Sequence, residues 1–437
     1  MRRISLLFAI SIVAACALPA AAGAAVDRFV DRDTGVNAGD CSAQGSPCQN
    51  VGYAVSQSGT GDTVKVDDSS GSYFENIALQ NNVSLRGFEF VDADEGSVVI
   101  DGTGSSAVLV NSGQSAGTID GLTLRTTGVG VNGFGSVAAV TDDRFDGGGA
   151  TVGIRVGAGS PTISNNVFTD SGVGGINDSG VQLDNTTGAT ISDNSFTNLS
   201  HPIVLGSAAA TSNTQITGNQ ITGVHTSTFA GFGILAQQSS GLVIDDNVIS
   251  GFADTGTTGI SVTGNGSASS ATMRRNQVYG AGSGIFLADN LSAVVLRNDI
   301  VAGSAGFGLT LFDDSSGGNG DAVAKNLTLV NGGGGSDVSI SGTDADLVLD
   351  SSIVAGNGIT AGGTSTCLIT NSRGPTTTPG GNGCSHFQTT QTPSFVNAGS
   401  NNFRLTGSNP VLIDNGDLAA PVLQIWFEDS SLSRTQW

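Results

Sequence analysis

The 437-residue chain is poor in charged residues, aromatic residues and proline, and its only lysines are Lys65 and Lys325. Charged residues make up 12% of the chain, about half of the ~25% that is usual in soluble domains. Acidic residues number 37 and basic residues 16, which gives a formal charge of −21. Because an acidic protein repels a phosphate backbone, the composition disfavours a nucleic-acid partner.

Further absences narrow the class of protein. The chain has 66 glycines but 9 prolines and no Gly-X-Y period, which excludes collagen. Hydrophobic residues make up 38%, which argues against global disorder. Beyond the N-terminus no apolar run approaches the length of a membrane span, so we expect none in the mature chain.

The N-terminus has the three-part order of a secretory signal peptide. Arg2-Arg3 precedes an apolar run over residues 4–18, and small residues before and at Ala24 predict cleavage after that position. One alternative is a lipoprotein box at residues 13–16, but the apolar stretch continues beyond it and favours ordinary cleavage. We therefore expect a secreted or cell-surface protein that has lost residues 1–24.

Five cysteines are present, and signal cleavage would remove Cys16. An even number of cysteines in an exported chain predicts disulfides. The economical pairing is Cys41–Cys48 and Cys367–Cys384. A zinc site is the weaker reading, because the two pairs are far apart and neither has C-x-x-C spacing.

An internal repeat is the dominant signal. The pattern apolar-x-x-Asn-x-apolar recurs with steps of 22 to 29 residues, after an earlier copy that has Asp143 in place of Asn. The repeated asparagines are Asn166, Asn194, Asn219, Asn247, Asn276, Asn298 and Asn326. Asparagine tolerates left-handed backbone at bends, and stacked copies can form an amide ladder. We therefore predict that these asparagines are structural.

Between the copies a glycine precedes a short apolar alternation. These glycines are Gly153, Gly180, Gly233, Gly259, Gly284 and Gly308. The alternation indicates short strands and not helices. Repeats of this length are too short for a propeller blade of roughly 40 residues or for a βαβ unit. The architecture that is left is a solenoid with one coil per repeat. In it each strand pairs in parallel with its copies above and below.

The repeat resembles that of the right-handed parallel β-helix proteins of the pectate-lyase-like superfamily. Residues 48–66, 73–77 and 83–87 are similar to the beginning of many secreted members. The resemblance implies a short N-terminal capping helix, for which Val51, Ala54 and Val55 have suitable spacing. It predicts an all-β fold, a single-stranded right-handed parallel β-helix of about ten coils.

The predicted organisation has five parts. They are a signal peptide over 1–24, an N-terminal cap with a disulfide and short helix over 25–60, the parallel β-helix over 61–360, a C-terminal disulfide loop and closing segment over 361–416, and an unassigned tail over 417–437.

Catalysis on this fold, as the resemblance implies, uses recognisable residue sets. Hydrolase members combine several carboxylates with a glycine-flanked histidine and an Arg-x-Lys element, and this chain has neither of the last two. Lyase members use an arginine or lysine base, often with calcium. The weak candidates are Arg274, Arg275, Arg297, Asp245 and Asp246. We interpret the three arginines as solvated surface residues.

Calcium is the one ion for which the sequence offers a candidate loop. Asp313, Asp314 and Asp321 bracket a Ser- and Gly-rich turn, and carboxylates on a flexible loop suit calcium. The spacing matches no known calcium loop, and a solvated acidic turn is the alternative. No cofactor is expected to be required.

The sequence thus supports two hypotheses about function. The favoured one is an exported, non-catalytic, monomeric protein that binds polysaccharide or a cell-surface glycan, or is displayed at the surface. The alternative is a polysaccharide lyase or glycoside hydrolase acting on an acidic polysaccharide. The missing histidine and basic elements favour the first.

Overall fold

The computed structural model describes residues 24–68, 70–88, 98–102, 104–147, 152–170, 179–223, 231–313, 320–330, 335–343, 345–374 and 393–405. These residues form a right-handed parallel β-solenoid of about ten turns, which confirms the predicted all-β fold. Each turn contributes strands to three faces, and equivalent strands of successive turns pair in parallel. Stacked strands lie about 4.8 Å apart. The predicted signal peptide and the tail over 417–437 fall on residues outside these ranges, apart from Ala24.

Face 1 consists of the first strand of each turn. Its strands are Ile77–Leu79, Ser106–Val110, the first half of Val129–Thr141, Val152–Ala158, Ser179–Leu183, His201–Leu205, Phe232–Gln237, Thr258–Thr263, Ser283–Ala288, Leu309–Asp313, Val338–Gly342 and Ile359–Ala361.

Face 2 follows face 1 around each turn. Its strands are Asp27–Val30, Thr63–Val66, Val83–Gly87, Ser115–Asp120, the second half of Val129–Thr141, Thr162–Ser164, Thr190–Ser192, Gln215–Thr217, Leu242–Asp245, Ser269–Arg274, Leu291–Arg297, Gly320–Lys325, Ala345–Asp350 and Thr366–Thr370. A two-stranded pairing, Thr211–Ser212 with Ser239–Ser240, lies between faces 1 and 2 in sequence.

Face 3 completes the turn. Its strands are Val99–Gly102, Thr123–Thr126, Arg144–Gly147, Val167–Asp170, Ser195–Thr197, Gln220–Thr222, Val248–Ser250, Gln277–Tyr279, Ile300–Ala302, Thr328–Val330 and Ile353–Val354. The stacked strands therefore run from residue 27 to residue 370, beyond both ends of the segment 61–360.

The core is a set of apolar columns inside the solenoid. Every second residue of a strand points inward, so one position recurs in turn after turn with an apolar side chain. On face 3 the rings of Phe145, Phe168 and Phe196 stack with centroids 4.7 and 4.6 Å apart. Burial of these columns supplies the main driving force for the fold.

The recurring glycines on face 1 have a packing reason. A Cβ on Gly153 would lie 2.7 Å from the ring of Phe168, and a Cβ on Gly180 would lie 2.5 Å from the ring of Phe196. Faces 1 and 3 therefore approach too closely at this corner for any side chain. A Cβ on Gly284 would likewise lie 2.2 Å from Cγ1 of Val301.

The N-terminal end contains the one helix of more than three residues in the described ranges, Val51–Ser56. It buries Val51, Ala54 and Val55 and contacts the first strands of the solenoid. Cys41 and Cys48 form a disulfide with Cα atoms 5.3 Å apart, which confirms this predicted pair.

At the C-terminal end Cys367 is buried on the last strand of face 2 and is disulfide-bonded. Its predicted partner, Cys384, lies outside the described residues. An antiparallel pair of strands, Phe395–Asn397 and Asn402–Leu405, is joined by a 3₁₀ turn over Ala398–Ser400. This hairpin packs on face 3, where Phe403 stacks on Tyr279 at 6.2 Å. In the part of the chain that the structure describes, no helix has the length and apolar character of a membrane span.

Candidate functional site

The corner between faces 2 and 3 gathers most of the residues that the sequence singles out. Three consecutive residues of each turn form it: the last outward residue of face 2, a left-handed residue, and an inward residue. We call the three resulting stacks the corner column, the left-handed column and the inner ladder. In the strand that ends at Asp245, for example, they are Asp245, Asp246 and Asn247.

Register defines the members of each stack. The corner column is Asp120, Thr141, Ser164, Ser192, Thr217, Asp245, Arg274, Arg297, Lys325, Asp350 and Thr370. The left-handed column is Gly121, Asp142, Asn165, Asp193, Gly218, Asp246, Arg275, Asn298, Asn326, Ser351 and Asn371, all with positive φ. The inner ladder from the second of these turns onward is Asp143, Asn166, Asn194, Asn219, Asn247, Asn276, Asp299, Leu327, Ser352 and Ser372.

From Asp143 to Asp299 the inner ladder is a continuous chain of buried hydrogen bonds. The backbone N and Nδ2 of Asn166 donate to Oδ1 of Asn194 at 2.9 and 3.0 Å, and Nδ2 of Asn194 donates to the carbonyl of Ile163. The same contacts repeat through Asn219, Asn247 and Asn276. Each amide thereby pairs a backbone N–H that the bend would otherwise leave unsatisfied.

Two of the predicted ladder residues lie elsewhere, and this is a correction. Asn298 and Asn326 occupy the left-handed column, and the ladder positions of those turns belong to Asp299 and Leu327. In the repeat pattern Asn298 stands three residues after Val295, but Leu296 is the buried residue, so the ladder position falls one residue later, at Asp299. From the sequence, left-handed backbone is also associated with the ladder asparagines. In the structure the left-handed residue is the one directly before each ladder asparagine, as in Asp246 before Asn247.

Both ends of the amide ladder are buried carboxyls. Oδ1 of Asp143 accepts the backbone N–H of Leu122, and Oδ1 of Asp299 accepts the backbone N–H and Nδ2 of Asn276. Burial raises the pKa of Asp143 well above its ordinary value. Burial also raises the pKa of Asp299, to about 7, although the bonds from Asn276 oppose this.

The candidate carboxylates and two of the candidate arginines come together at the corner. Asp245 forms ion pairs with Arg274 at 3.1 Å and with Arg275 at 2.7 Å. Arg275 also holds Asp246 through two contacts, Nε–Oδ1 at 2.7 Å and Nη2–Oδ2 at 2.9 Å. The four residues form a closed network across two adjacent turns.

The contacts within this network shift the pKa values of Asp245 and Arg275. Burial raises the pKa of Asp245, although Arg274 and Arg275 act in the opposite direction. The hydrogen bond to Asp246, supported by the charge of Asp245, raises the pKa of Arg275 above its already high value. Arg275 is therefore held protonated.

Arg297 and Lys325 continue the stack of cations beyond Arg274. Lys325 lies 3.7 Å from Asp350, whose side chain also accepts bonds from Thr370 and Asn371. Burial would raise the pKa of Asp350, but these bonds and Lys325 hold it below the ordinary value. Among the described residues no carboxylate forms an ion pair with the guanidinium of Arg297.

The structure does not bring the calcium candidates together as a described site. Asp313 is buried at the end of a face 1 strand, Asp321 is exposed on a face 2 strand, and Asp314 lies outside the described residues. Over the described ranges, no group of three or more His, Cys, Asp or Glu side chains is arranged to hold a metal ion.

Sequence reasoning missed Asp299, Lys325 and Asp350 as members of this corner. Their positions follow only from strand register, because they lie 20 to 30 residues from their neighbours in the stack. A spacing rule could have found them. The corner-column residue lies one residue after the last inward apolar residue of the face 2 strand, and the ladder residue lies three residues after it.

Comparison with known proteins identifies the family. The model of the right-handed β-helix region matches residues 152–329 and 207–374, together just over half of the chain. The chain therefore belongs to the right-handed β-helix family, as its resemblance to pectate-lyase-like proteins predicts. No curated protein matches it in sequence.

Several solved structures resemble this chain at low sequence identity. The Dettilon tailspike protein is 16% identical with a TM-score of 0.46, and the match covers 72% of this chain and 60% of that one. An alginate lyase from Paenibacillus sp. strain FPU-7 is 16% identical over 77% of this chain and 95% of that one, with a TM-score of 0.38. The A-module of the mannuronan C-5 epimerase AlgE4 from Azotobacter vinelandii is 16% identical over 78% of this chain and 93% of that one, with a TM-score of 0.37. The chain thus spans less than two thirds of the tailspike.

Proposed function

We propose that this protein is an exported, non-catalytic β-helix protein that binds polysaccharide on its outer surface. The observation that carries the proposal is the network of Asp245, Asp246, Arg274 and Arg275. A lyase base must accept a proton from its substrate. An arginine clamped by two carboxylates holds its proton more firmly and is poorly suited to that step.

Export is supported by the predicted signal peptide and by the disulfide between Cys41 and Cys48. Disulfides persist in oxidising compartments outside the cytosol. A secreted or cell-surface location would place the protein where polysaccharides are abundant.

A polysaccharide lyase or hydrolase is the alternative, and one observation favours it. Asp245 combines a raised pKa with two neighbouring arginines. A carboxyl that stays protonated at higher pH than usual is what a general acid requires.

Incubation of the purified mature protein with acidic and neutral polysaccharides, with and without calcium, tests the proposal. We expect measurable affinity for at least one polysaccharide and neither unsaturated uronate absorbance nor new reducing ends. Turnover that is abolished in Asp245→Asn would establish the enzymatic alternative. Absence of binding to every polysaccharide would refute glycan binding.

A further inference from the structure

The N-terminal edge of face 2 is closed by its first strand. Asp27–Val30 pairs in parallel with Thr63–Val66, and the loop of the Cys41–Cys48 disulfide covers its outer edge. The backbone N–H of Phe29 donates to the carbonyl of Cys41 at 2.8 Å, and that of Cys48 donates to the carbonyl of Phe29 at 2.9 Å. Because an uncovered edge strand is a template for aggregation, this closure protects the whole stack.

In the part of the chain that the structure describes, hydrogen bonding to the fold begins at Val26, the residue before that strand. Its carbonyl accepts the N–H of Thr63 at 3.1 Å, and its own N–H donates to Oδ1 of Asp62 at 2.8 Å. Ala24 and Ala25 are exposed, and within the described ranges no hydrogen bond involves them. Val26 is therefore the first described residue that the fold holds in place.

Asp62 is a buried carboxylate whose side chain is 5% exposed. Its Oδ2 accepts Nε and Nη2 of Arg28 at 3.1 and 2.8 Å and the N–H of Gly59 at 2.8 Å. Burial alone would raise the pKa of Asp62, but the N–H groups of Val26 and Gly59 and the guanidinium of Arg28 hold it below the ordinary value. Asp62 is therefore ionised near neutral pH, and among the described residues only the N–H of Val26 donates to its Oδ1.

The charges around Asp62 do not balance. Arg28 is shared, because its Nη1 also lies 3.4 Å from the carboxylate of Asp40. On the outer side of the strand, Lys65 pairs with Asp27 at 2.6 Å. Two cations therefore face three carboxylates in these ion pairs. A buried carboxylate is stabilised more by a full positive charge than by a neutral amide, so one further cation at Oδ1 would complete the balance.

Removal of the signal peptide directly before Val26 supplies such a charge. Residues 20–25 are all alanine or glycine, so several successive bonds have the small residues that signal peptidases require, including the bonds after Ala24 and Ala25. Cleavage adds one water across the peptide bond. The carboxylate stays on the signal peptide, and the new α-amino group takes up a proton near neutral pH. Cleavage after Ala25 thus converts the N–H of Val26, already 2.8 Å from Oδ1, into an ammonium group.

We propose that the signal peptide is cleaved between Ala25 and Val26, and that the α-ammonium group of Val26 forms an ion pair with Asp62 that locks the first strand onto the solenoid. This bond lies one residue beyond the one predicted from the sequence. Cleavage after Ala24 would place the charge on Ala25, about 3.5 Å farther along the chain.

The ion pair couples export to closure of the solenoid. Before cleavage the nitrogen of Val26 is an uncharged amide, so the edge of face 2 is locked only once the signal peptide has been removed. The inference rests on export, which is part of the proposed function, and it is independent of glycan binding.

The first residue of the exported protein tests the cleavage site. The full chain is expressed with its own signal peptide in an exporting bacterial host, and the exported protein is analysed by intact mass and N-terminal sequencing. We expect a chain that begins at Val26. A chain that begins at Ala25 or at any other residue would overturn the cleavage site and leave export intact. An uncleaved chain retained in the cells would refute export itself.

Hydrogen exchange tests the ion pair. Protein that begins at Val26 is compared with protein that begins at Ala25 and with Val26 protein that is acetylated on its α-amino group. Acetylation keeps the N–H donor and removes the charge. We expect the amides of Phe29 and Thr63 to exchange about tenfold more slowly in the first form than in the other two. Equal exchange in the free and acetylated forms would overturn the ion pair.

Substitutions assign the effect to Asp62. In Asp62→Asn the free and acetylated forms should exchange alike, because the partner charge has been removed. The matched control is Asp27→Asn, which removes a carboxylate from the same strand, where it pairs with Lys65. In this control the difference of about tenfold should persist. Loss of the difference in both variants would overturn the assignment to Asp62. If Asp62→Asn fails to fold, the free and acetylated forms of the wild-type chain still decide the proposal.

Discussion

The two halves of the corner column share one backbone geometry and carry different chemistry. From Thr141 to Thr217 the column is made of hydroxyl side chains, and from Asp245 to Asp350 every member is charged. Both halves have the same parallel register and the same left-handed residue at the next position. The inner ladder runs behind both.

This difference separates what the fold requires from what it tolerates. Four hydroxyl residues suffice at this position in the first half, so the bend does not need a charge there. In the second half three cations are stacked against their mutual repulsion. The charged half therefore carries side chains that the bend itself does not require, and Asp245 and Asp350 pair with the cations at its two ends.

The largest predicted effect concerns the ladder behind the charged half. Asp299→Asn should raise the free energy of unfolding above pH 7 by on the order of 4 kcal/mol, about 1.4 kcal/mol for each pKa unit of the shift. Between the ordinary carboxyl range and about pH 7, native Asp299 keeps a proton that the unfolded chain has released. Wild-type stability therefore falls as pH rises through this window and levels off above it.

Urea unfolding of both proteins between pH 4 and pH 8 measures the effect. Removal of the carboxyl should flatten the profile of the variant relative to that of the wild type. Parallel profiles would show that Asp299 does not titrate in this range.

The same ladder behind the hydroxyl half should be sensitive to loss of an amide. Asn219→Ala removes the acceptor of the backbone N–H and Nδ2 of Asn194. Oδ1 of Asn247 loses the Nδ2 donor of residue 219 and keeps its backbone N–H. Unsatisfied buried groups cost about 1–3 kcal/mol each, so we expect a loss of about 3 kcal/mol. Ser352→Ala, in the charged half, removes a single acceptor for Leu327 and should cost about 1 kcal/mol. Chemical denaturation compares the two, and equal losses would contradict this account.

The left-handed column allows a smaller test. Gly218→Ala, beside the hydroxyl half, places a side chain on backbone with φ of 70° and should cost about 1 kcal/mol. Arg275→Gly, beside the charged half, removes the strain of a side chain on left-handed backbone. It also loses the ion pairs with Asp245 and Asp246. Its net effect on the melting temperature should be close to zero, and a large loss would show that the ion pairs dominate.

The smallest predicted change in stability comes from a substitution that compares the charged and hydroxyl halves of the corner column directly. Arg297→Ser with Lys325→Ser gives two of the five positions of the charged half the chemistry of the hydroxyl half. We expect the free energy of unfolding to change by less than about 0.5 kcal/mol, because Asp350 keeps its bonds from Thr370 and Asn371 and the repulsion between the cations is relieved. Destabilisation beyond about 2 kcal/mol in urea unfolding would mean that the fold itself depends on these cations.

Much of the fold was predictable because its signals are local. The asparagines after face 2 strands recur in every turn from Asn166 to Asn276, and a glycine opens most of the face 1 strands, with His201–Leu205 as an exception. Together they predict both the coil length and the ladder. The corner network was accessible only in part. Asp245, Asp246, Arg274 and Arg275 attract notice as charged neighbours, but their pairing across turns depends on register.

The sequence by itself determined a parallel β-helix, because a short apolar alternation with glycine and asparagine at fixed places can bury its side chains only by stacking on copies of itself. Tertiary structure alone decided which residues of each alternation face inward. In Val294-Val295-Leu296 all three are apolar, so period-2 reasoning cannot choose between them, and the bend of the neighbouring turns places Leu296 inside and Val295 outside. That choice moves Asp299 into the ladder, Asn298 to the bend and a row of valines to the surface beside the cations.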